Sequence, residues 1–438
     1  MKYVSVTGQS TSTFREALFS GTAPDGGLYV PETLPPFDAS LLRENSESTL
    51  QSTATEILSP FVDEISRENL AAIISHALNF PIPLVNLQDN IYLLELFHGP
   101  TLAFKDVGAR FMAQVMSYFL EQQQQDVTIL VATSGDTGSA VAHGFYNVPH
   151  VEVFILYPSN RISPLQQQQM TTLGGNITAV EVEGTFDDCQ QLVKASLNDA
   201  DLQRQQTITT ANSINIGRLL PQISYHAWGL IQLRRLFNQN DDPMVVVPSG
   251  NFGNMTAAVY AKKMGVPIRN FIAATNANDV MLQYLRSGKF EPRPSIPTYS
   301  NAMDVGNPGN LSRLQALYRG DVQELKKDID AVSISDEETL EEIRRTYDAT
   351  GRILDPHTAV GVAAARKALE WTTNSPPIIV AATAHPAKFP DVVKKAIDID
   401  VPLPVSLQAA QNSPTHFITI RPRYSEWKNL LLKTSGNK

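Results

Sequence analysis

The sequence predicts an α/β protein, because short apolar runs rich in Val, Ile and Leu alternate with helical patterns from residue 91 onward. Such runs are typical of buried parallel strands, since helices cover both faces of a parallel sheet. The length of 438 residues exceeds what one hydrophobic core usually serves, so we expect more than one domain with a cleft between them. The runs are Ile91–Phe97, Val127–Thr133, Val151–Tyr157, Ile177–Val182, Met244–Val247, Phe271–Ala274 and Ile378–Ala382.

The first 88 residues differ in pattern from the rest of the chain. Helical patterns at Ala54–Ile65 and Glu68–His76 alternate with loops rich in proline and glycine. We therefore expect an N-terminal, mostly helical domain that packs on or caps the remainder. The predicted limits are residues 1–88 for this domain, 89–115 and 211–438 for a large α/β domain, and 116–210 for a small α/β domain inserted in the large one.

Composition limits the partners that the protein can have. Lys and Arg number 35 against 44 Asp and Glu, and no stretch concentrates the basic residues, so nucleic acid is not expected as a partner. No apolar run is long enough to span a bilayer, and the start has no secretory pattern, so we expect a cytoplasmic protein without a membrane partner. The single cysteine, Cys189, agrees with a reducing compartment. The eight histidines form no ligand motif, so no metal is expected.

Lys105 is the most informative residue of the chain. It follows the apolar residues Leu102 and Phe104 and precedes a helical pattern over Val107–Leu120. An ammonium held against apolar groups loses hydration, so its pKa falls and the neutral amine can condense with an aldehyde. A surface lysine whose stem covers apolar residues is the commoner explanation for a lone lysine. Two turns elsewhere that can hold anions favour a Schiff-base lysine and suggest pyridoxal phosphate.

The first of these turns follows the predicted strand Met244–Val247. The segment Gly250, Asn251, Phe252, Gly253 and Asn254 leads from this strand into a helical pattern. Glycines allow backbone N–H groups to converge, and the helix dipole adds partial positive charge, so the turn can bind a phosphate without a cationic side chain. An ordinary strand-to-helix turn explains the same pattern equally well.

The second turn contains Ser134, Gly135, Asp136 and Thr137, between the predicted strand Val127–Thr133 and a helix. Its hydroxyls and free helix N–H groups suit a carboxylate, such as that of an amino-acid substrate. Asp136 can instead serve only as the helix cap.

Two further segments carry polar groups that can bind ligands. Arg218 is a candidate for bidentate binding of an anion, with Asn212 and Asn215 as neutral neighbours, although a lone arginine is more often a solvated surface residue. Thr383 follows a late strand, where its hydroxyl can donate to a ring nitrogen. The segments without an assigned role are the charged helical pattern Asp321–Tyr347, read as a solvated face, and the glutamine tracts 122–125 and 166–169, read as exposed helix surface.

Five segments together resemble the signatures of the threonine synthase family, in the same order along the chain. This family belongs to the pyridoxal-phosphate enzymes of fold type II, the group of the tryptophan synthase β-subunit. The resemblance also covers the N-terminal segment that ends at Glu32. The five segments are His98–Asp106, Ala132–Ala140, Asn212–Asn215, Pro248–Asn254 and Ala382–Phe389.

The resemblance implies a role for most of the candidate residues. Lys105 would carry the cofactor as a Schiff base, residues 250–254 would bind its phosphate, and Thr383 would meet the pyridine nitrogen. Residues 134–137 would face the substrate carboxylate. Asp136 stands where several relatives of fold type II have asparagine, which leaves open the group that meets the ring oxygen of the cofactor.

The implied reaction converts O-phospho-L-homoserine and water to L-threonine and phosphate. We expect the leaving phosphate to be bound by Arg218, Asn215 and polar side chains of the loop Ser300–Asp304. Within the enzyme class, the alternative is a dehydratase or a phospholyase of the same fold type acting on a related amino acid. A non-catalytic phosphate or nucleotide binder is the alternative from another class. We expect a monomer or a weak dimer.

Overall fold

The computed structural model describes residues 1–43, 47–159, 162–372, 375–405, 407–408 and 413–435. Its sheets and helices confirm the α/β class. The strands are β1 (Tyr3–Ser5), β2 (Thr11–Ser12), β3 (Tyr29–Pro31), β4 (Leu84–Gln88), β5 (Ile91–Glu95), β6 (Val127–Ala132), β7 (Val151–Pro158), β8 (Ile177–Val182), β9 (Thr207–Thr210), β10 (Met244–Pro248), β11 (Phe271–Thr275), β12 (Ile329–Ser333), β13 (Ile378–Ala382) and β14 (Ile418–Ile420).

The helices surround these strands. They are α1 (Phe14–Ser20), α2 (Leu50–Leu58), α3 (Arg67–Ala77), α4 (Lys105–Gln123), α5 (Asp136–Phe145), α6 (Pro164–Thr171), α7 (Phe186–Leu197), α8 (Ala200–Gln205), α9 (Ile216–Leu219), α10 (Gln222–Phe237), α11 (Gly253–Met264), α12 (Val280–Ser287), α13 (Leu311–Leu317), α14 (Val322–Asp328), α15 (Asp336–Thr350), α16 (Pro356–Trp371), α17 (Pro390–Ile397) and α18 (Tyr424–Ser435). Short 3₁₀ turns lie at Ala39–Leu42, Asn301–Met303 and Pro386–Lys388.

The large sheet has the strand order β12-β11-β10-β13-β5-β4. Its strands are parallel, except that β4 pairs with β5 in the antiparallel direction. Every residue of β10, β11 and β13 is buried, as expected for strands covered on both faces. The carboxyl ends of the neighbouring strands β10, β13 and β5 therefore share one edge, where α/β proteins place their ligands.

The second sheet has the order β14-β8-β7-β6-β9, and all of its pairs are parallel. Strands β6 to β9 come from the segment that we expected to form the small domain. Strand β14 joins this sheet from the far end of the chain, and Trp427 of α18 is buried with Phe154 of β7, the ring centroids lying 5.7 Å apart. The C-terminal segment thus belongs to the second sheet, which differs from the expected limits.

The N-terminal segment combines the small antiparallel sheet β2-β1-β3 with helices α1 to α3. It is tied to the rest of the chain by buried polar contacts. Arg313 of α13 donates to the backbone oxygen of Tyr29 at 2.9 Å, and Asn215 donates to the oxygen of Leu18 at 2.9 Å. The N-terminal domain therefore packs against the start of α9 and against α13.

The charged segment Asp321–Tyr347 does not form the single helix that its pattern predicts. Helix α14 ends at Asp328, the strand β12 follows, and α15 begins at Asp336. Alternation of buried and exposed residues in β12 is weak, and the strand is defined by its pairing with β11. No helix in the described part of the chain is long and apolar enough to cross a membrane.

Candidate active site

Three segments with polar groups meet at the carboxyl edge of the large sheet. The turn after β10 contains Gly250, Thr383 follows β13 directly, and the loop after β5 leads to Lys105. These strands are direct neighbours in the order β10-β13-β5. The topology therefore brings together the three groups that were chosen from separate parts of the sequence.

Lys105 is the first residue of α4, and its position is fixed by the backbone of the segment after β13. The N–H of Phe104 donates to the oxygen of Thr383 at 2.9 Å, and Ala103 pairs with Ala384. The side chain of Lys105 is half-buried, and among the described residues its Nζ has no hydrogen-bond or ion-pair partner. The Nζ atom of Lys105 lies 5.9 Å from the centre of the Phe104 ring.

The surroundings of Lys105 favour its neutral form. Burial lowers the pKa of Lys105 to about 8, and the positive charges of Arg218 and Lys388 act in the same direction. The carboxylate of Asp136 opposes the shift. With this pKa, roughly a tenth of the side chains carry a free amine at pH 7. The group is therefore prepared for attack on an aldehyde.

The backbone N–H groups of residues 250–254, in the turn after β10, have no acceptor among the described residues. Phe252, the residue before α11, has a φ of 58°, and no side chain caps the helix. A Cβ on Gly250 would lie 2.8 Å from Cα of Met303. Glycine is therefore required for the loop Ser300–Asp304 to approach the turn so closely. Asn254 is buried, its Oδ1 lies 2.8 Å from Nε2 of His226, and its Nδ2 has no partner among the described residues. An uncapped helix start with an orphaned donor is suited to an anion.

Thr383 is buried at the end of β13, and no described residue bonds to its hydroxyl. Its backbone oxygen is occupied by the N–H of Phe104. The hydroxyl therefore remains as a neutral donor at the sheet edge, between the turn that contains Gly250 and the start of α4.

The turn after β6 is held by Thr133, which the sequence analysis did not select. Its hydroxyl accepts from the N–H groups of Gly135 and Gly138 at 3.0 and 2.9 Å. The N–H groups of Asp136 and Thr137 have no acceptor among the described residues. The hydroxyls of Ser134 and Thr137 are likewise without a partner there. These donors suit a carboxylate.

The side chain of Asp136 is neither a helix cap nor a free group of this turn. Its Oδ1 forms an ion pair with Nζ of Lys388 at 2.6 Å and accepts from Nε2 of Gln166 at 2.9 Å. Nearby positive charges, of which Lys388 is the strongest, hold the pKa of Asp136 below its ordinary value despite burial. The expectation that this side chain faces a substrate carboxylate is therefore not supported, since two anions would repel.

The structure gives Asn212 and Asn215 partners within the protein. The amide of Asn212 donates to the oxygen of Ala132 at 2.7 Å and accepts from its N–H at 3.2 Å. The amide of Asn215 donates to the oxygens of Leu18 and Thr210 and accepts from Gly217, and the side chain is fully buried. The buried side chain of Asn215 is therefore not available to a ligand, which corrects its expected role. The side chain of Asn212 is half-buried and ties its loop to β6 through Ala132.

Arg218 is not a surface residue. It is only 2% exposed, it donates to the oxygen of Ala211, and its Nε has no partner in the part of the chain that the structure describes. No carboxylate lies within ion-pair distance of it in the described residues. Burial lowers the pKa of Arg218 to about 10, and Asp106 opposes this effect. A buried guanidinium without a counter-ion is a suitable partner for an anionic ligand.

Comparison with known proteins decides the family. Residues 78–381 match the family model "Pyridoxal-phosphate dependent enzyme", and residues 2–78 and 358–430 match the models of the threonine synthase N terminus and C terminus. A threonine synthase of Haemophilus influenzae is 40% identical over 96% of this chain and 97% of its own length. The chain belongs to the threonine synthase branch of the pyridoxal-phosphate dependent enzymes.

Solved structures of this family have the same fold. The crystal structure of threonine synthase from Escherichia coli is 38% identical, with a TM-score of 0.91 over 99% of this chain and 100% of that chain. A threonine synthase from Brucella melitensis with bound PLP is 36% identical, with a TM-score of 0.92 over 99% of both chains. Membership makes the protein a pyridoxal-phosphate dependent lyase and confirms the expected fold type II and cofactor.

The residues at the sheet edge fit the family cofactor. Pyridoxal phosphate needs an amine for its aldehyde, donors for a dianion and a partner for its ring nitrogen. Lys105, the turn at residues 250–254 and Thr383 offer these groups, and the orphaned Nδ2 of Asn254 is the clearest sign of a missing acceptor. Asn251 contributes differently, since its side chain bridges Ser213 and Gly309 at 2.6 Å each.

The sequence did not predict the buried position of two residues near the site, Gln166 and Lys388. Gln166 was read as exposed helix surface, but it is fully buried and bonds to Asp136. The segment Ala382–Phe389 gives no separate sign of a role for Lys388, whose side chain is fully buried. A signal for Gln166 was present, because Ser163 and Gln166 form a capping box that turns the glutamine toward the helix start.

Proposed function

We propose that the protein converts O-phospho-L-homoserine and water to L-threonine and phosphate. The observation that supports this most directly is the buried guanidinium of Arg218, which has no carboxylate partner and lies close enough to Lys105 to lower the pKa of its amine. A second anion site beside a cofactor lysine is suited to a substrate that carries its own phosphate.

Pyridoxal phosphate supplies an electron sink for negative charge at the substrate α-carbon. The chain supplies the proton transfers. Lys105, with a pKa of about 8, can accept and return protons near neutral pH, and we assign it the transfers at the α- and β-carbons. Residues 250–254 would bind the cofactor phosphate, and the hydroxyl of Thr383 would meet the ring nitrogen as a neutral donor.

The substrate carboxylate would bind at the turn after β6. The N–H groups of Asp136 and Thr137 and the hydroxyls of Ser134 and Thr137 are its proposed donors. Gly135, with a φ of 139°, allows the turn to pack closely against the side chain of Gln166. Asp136 takes part through its backbone, because its carboxylate is bound to Lys388. Backbone donors at a helix start favour an anion and cost no side-chain entropy.

Of the residues proposed for the leaving phosphate, we retain Arg218 and Asn301. Asn301 lies in the loop that touches Gly250, and no described residue bonds to its buried Oδ1, so its amide is free to turn toward a ligand. Asp304 is excluded, because it accepts from Thr298 and Asn276 and is an anion above its pKa of about 6.

Arg218→Met is expected to raise KM for the phosphorylated substrate at least about tenfold, since a charge-assisted contact contributes roughly 1.5–3 kcal/mol. The affinity for the cofactor should change less than about twofold, because its phosphate has a separate proposed site. Initial rates of phosphate release and a cofactor titration measure the two quantities. Arg218→Lys is the matched control and should recover part of the loss. Equal losses of substrate and cofactor affinity would contradict the assignment.

Thr383→Val removes one hydroxyl and keeps the shape of the side chain. The cofactor dissociation constant should rise about two- to tenfold, since a hydrogen bond of this kind contributes roughly 0.5–1.5 kcal/mol. Equilibrium titration followed by absorbance measures it. Thr383→Ser retains the donor and should stay close to the parent protein. A serine variant as weak as the valine variant would show that packing, and not the hydroxyl, matters.

Product analysis tests the proposed reaction as a whole. The protein loaded with pyridoxal phosphate is incubated with O-phospho-L-homoserine, and threonine, phosphate and 2-oxobutyrate are quantified. Threonine and phosphate in equal amounts are the expected products. Accumulation of 2-oxobutyrate would instead favour the dehydratase or phospholyase alternative.

A further inference from the structure

A buried ion pair connects the turn after β6 with the segment after β13. Nζ of Lys388 lies 2.6 Å from Oδ1 of Asp136, and the two side chains are 0% and 4% exposed. The same Nζ donates to the backbone oxygen of Thr101 at 2.8 Å. Gln166 donates to Asp136 at 2.9 Å. Each charged group thus also has a neutral hydrogen-bond partner, Gln166 for Asp136 and the backbone of Thr101 for Lys388.

This pair is found beside Lys105, and its two charges act on that amine in opposite directions. The carboxylate of Asp136 raises the pKa of Lys105, whereas the ammonium of Lys388 lowers it. The other charged or titratable groups around the pair or Lys105 are Arg218, Asp106, His143 and His385. Burial lowers the pKa of His143 to about 4 and also lowers that of His385, so both are neutral near pH 7.

We propose that Lys388 is a positioning residue that keeps the carboxylate of Asp136 from pairing with Lys105. The proposal rests on the proposed role of Lys105 as the cofactor lysine. A buried carboxylate needs a positive partner, because an unpaired charge loses its hydration without compensation. Two lysines are within electrostatic reach of Asp136, and only Lys388 contacts it. Lys388 thus satisfies the carboxylate, and Lys105 stays free to react.

The proposal predicts shifts of opposite sign for the two partners. Lys388→Met removes the charge that lowers the pKa of Lys105 and leaves Asp136 in need of a partner, so the pKa of Lys105 should rise. Asp136→Asn removes the charge that raises it and leaves Lys388 in place, so the pKa should fall. In the double variant both charges are absent, and the pKa should return toward that of the parent protein.

Cofactor capture by the full-length chain, freed of pyridoxal phosphate, measures this pKa. Because only the neutral amine reacts, the rate constant for capture follows the deprotonated fraction of Lys105 between about pH 6 and pH 10. The midpoint for Lys388→Met should lie at least about one pH unit higher, which slows capture about tenfold below the midpoint. The midpoint for Asp136→Asn should lie lower, and that of the double variant within about half a unit of the parent.

Two controls separate this role from a structural one. Lys388→Arg keeps the charge and should keep the midpoint. Lys428 of α18 forms an ion pair of the same length, 2.6 Å, with Asp199 at the start of α8. Lys428→Met should also leave the midpoint unchanged. A merely structural Lys388 would alter the maximal rate or the thermal stability, but not the midpoint. If Lys388→Met does not fold, the opposite shift in Asp136→Asn and its reversal in the double variant still test the proposal.

An unshifted midpoint in the folded variants, or a shift that the double variant does not reverse, overturns the inference. Failure of the proposed function has a different signature. In that case the parent chain itself would capture no cofactor, and borohydride would fix no pyridoxyl group on Lys105.

Discussion

Lys105→Met is expected to lower kcat for threonine formation about a thousandfold or more. The substitution removes both the amine that captures the cofactor aldehyde and the base that moves protons at the substrate carbons, and general acid–base catalysis alone contributes about 10²- to 10⁴-fold. Methionine keeps the length and the apolar contacts of the stem. Threonine and phosphate release measure the rate, and mass spectrometry after borohydride reduction identifies the modified lysine.

The matched control is Lys289→Met, which removes an exposed lysine that follows α12. This variant should retain the parent rate, and in it borohydride should still fix the cofactor at Lys105. A Lys105→Met protein with more than about a tenth of the parent rate, or with the cofactor fixed on another lysine, would contradict the assignment.

The buried strands were predictable from the sequence, and the short or partly exposed ones were not. The limits of β8 and β13 agree with the apolar runs Ile177–Val182 and Ile378–Ala382 residue by residue. Strand β9, with the sequence Thr-Ile-Thr-Thr, was missed, since it has one large apolar residue. Strand β12 was missed because the charged helices on both sides dominate the pattern. For such strands, pairing with a neighbour supplies the information that the local sequence lacks.

The return of the C-terminal segment to the second sheet was not predictable for a related reason. Strand β14 has three residues and pairs with β8, and Trp427 donates to Oγ of Ser196 at 2.8 Å. These contacts join residues more than two hundred positions apart. A pattern within a short window of the sequence does not report such long-range contacts.

Within the site, the groups attached to strand ends were predictable, whereas the partners of polar side chains were not. Thr383 was predictable because an apolar run locates the strand that it follows, and Lys105 because it lies between apolar residues and the start of a helical pattern. Asn215 has the same amide whether it binds a substrate or the backbone of Leu18, and only the fold distinguishes these cases. The role of Lys388 was not predictable, since its partner, Asp136, lies more than two hundred positions earlier in the chain.

The turn at residues 250–254 provides the second large effect, because it has no space for an added methyl group. In Gly250→Ala, the new Cβ would lie 2.8 Å from Cα of Met303 and 3.0 Å from the oxygen of Ala302. Both are backbone atoms, so either the turn or the loop Ser300–Asp304 must move. Crowding of a filled site costs about 1–3 kcal/mol. If the turn moves, its N–H groups no longer converge on the cofactor phosphate.

Gly250→Ala should therefore raise the cofactor dissociation constant about ten- to a hundredfold, measured by titration of the cofactor-free chain. Gly229→Ala is the matched control, since its Cβ would meet only the end of the Leu94 side chain at 3.2 Å, and the affinity should stay within about threefold of the parent. The thermal midpoint of each cofactor-free variant separates folding from binding. A Gly250→Ala protein that is less stable yet binds the cofactor as tightly as the parent would mean that the loop moves and that the phosphate is bound elsewhere.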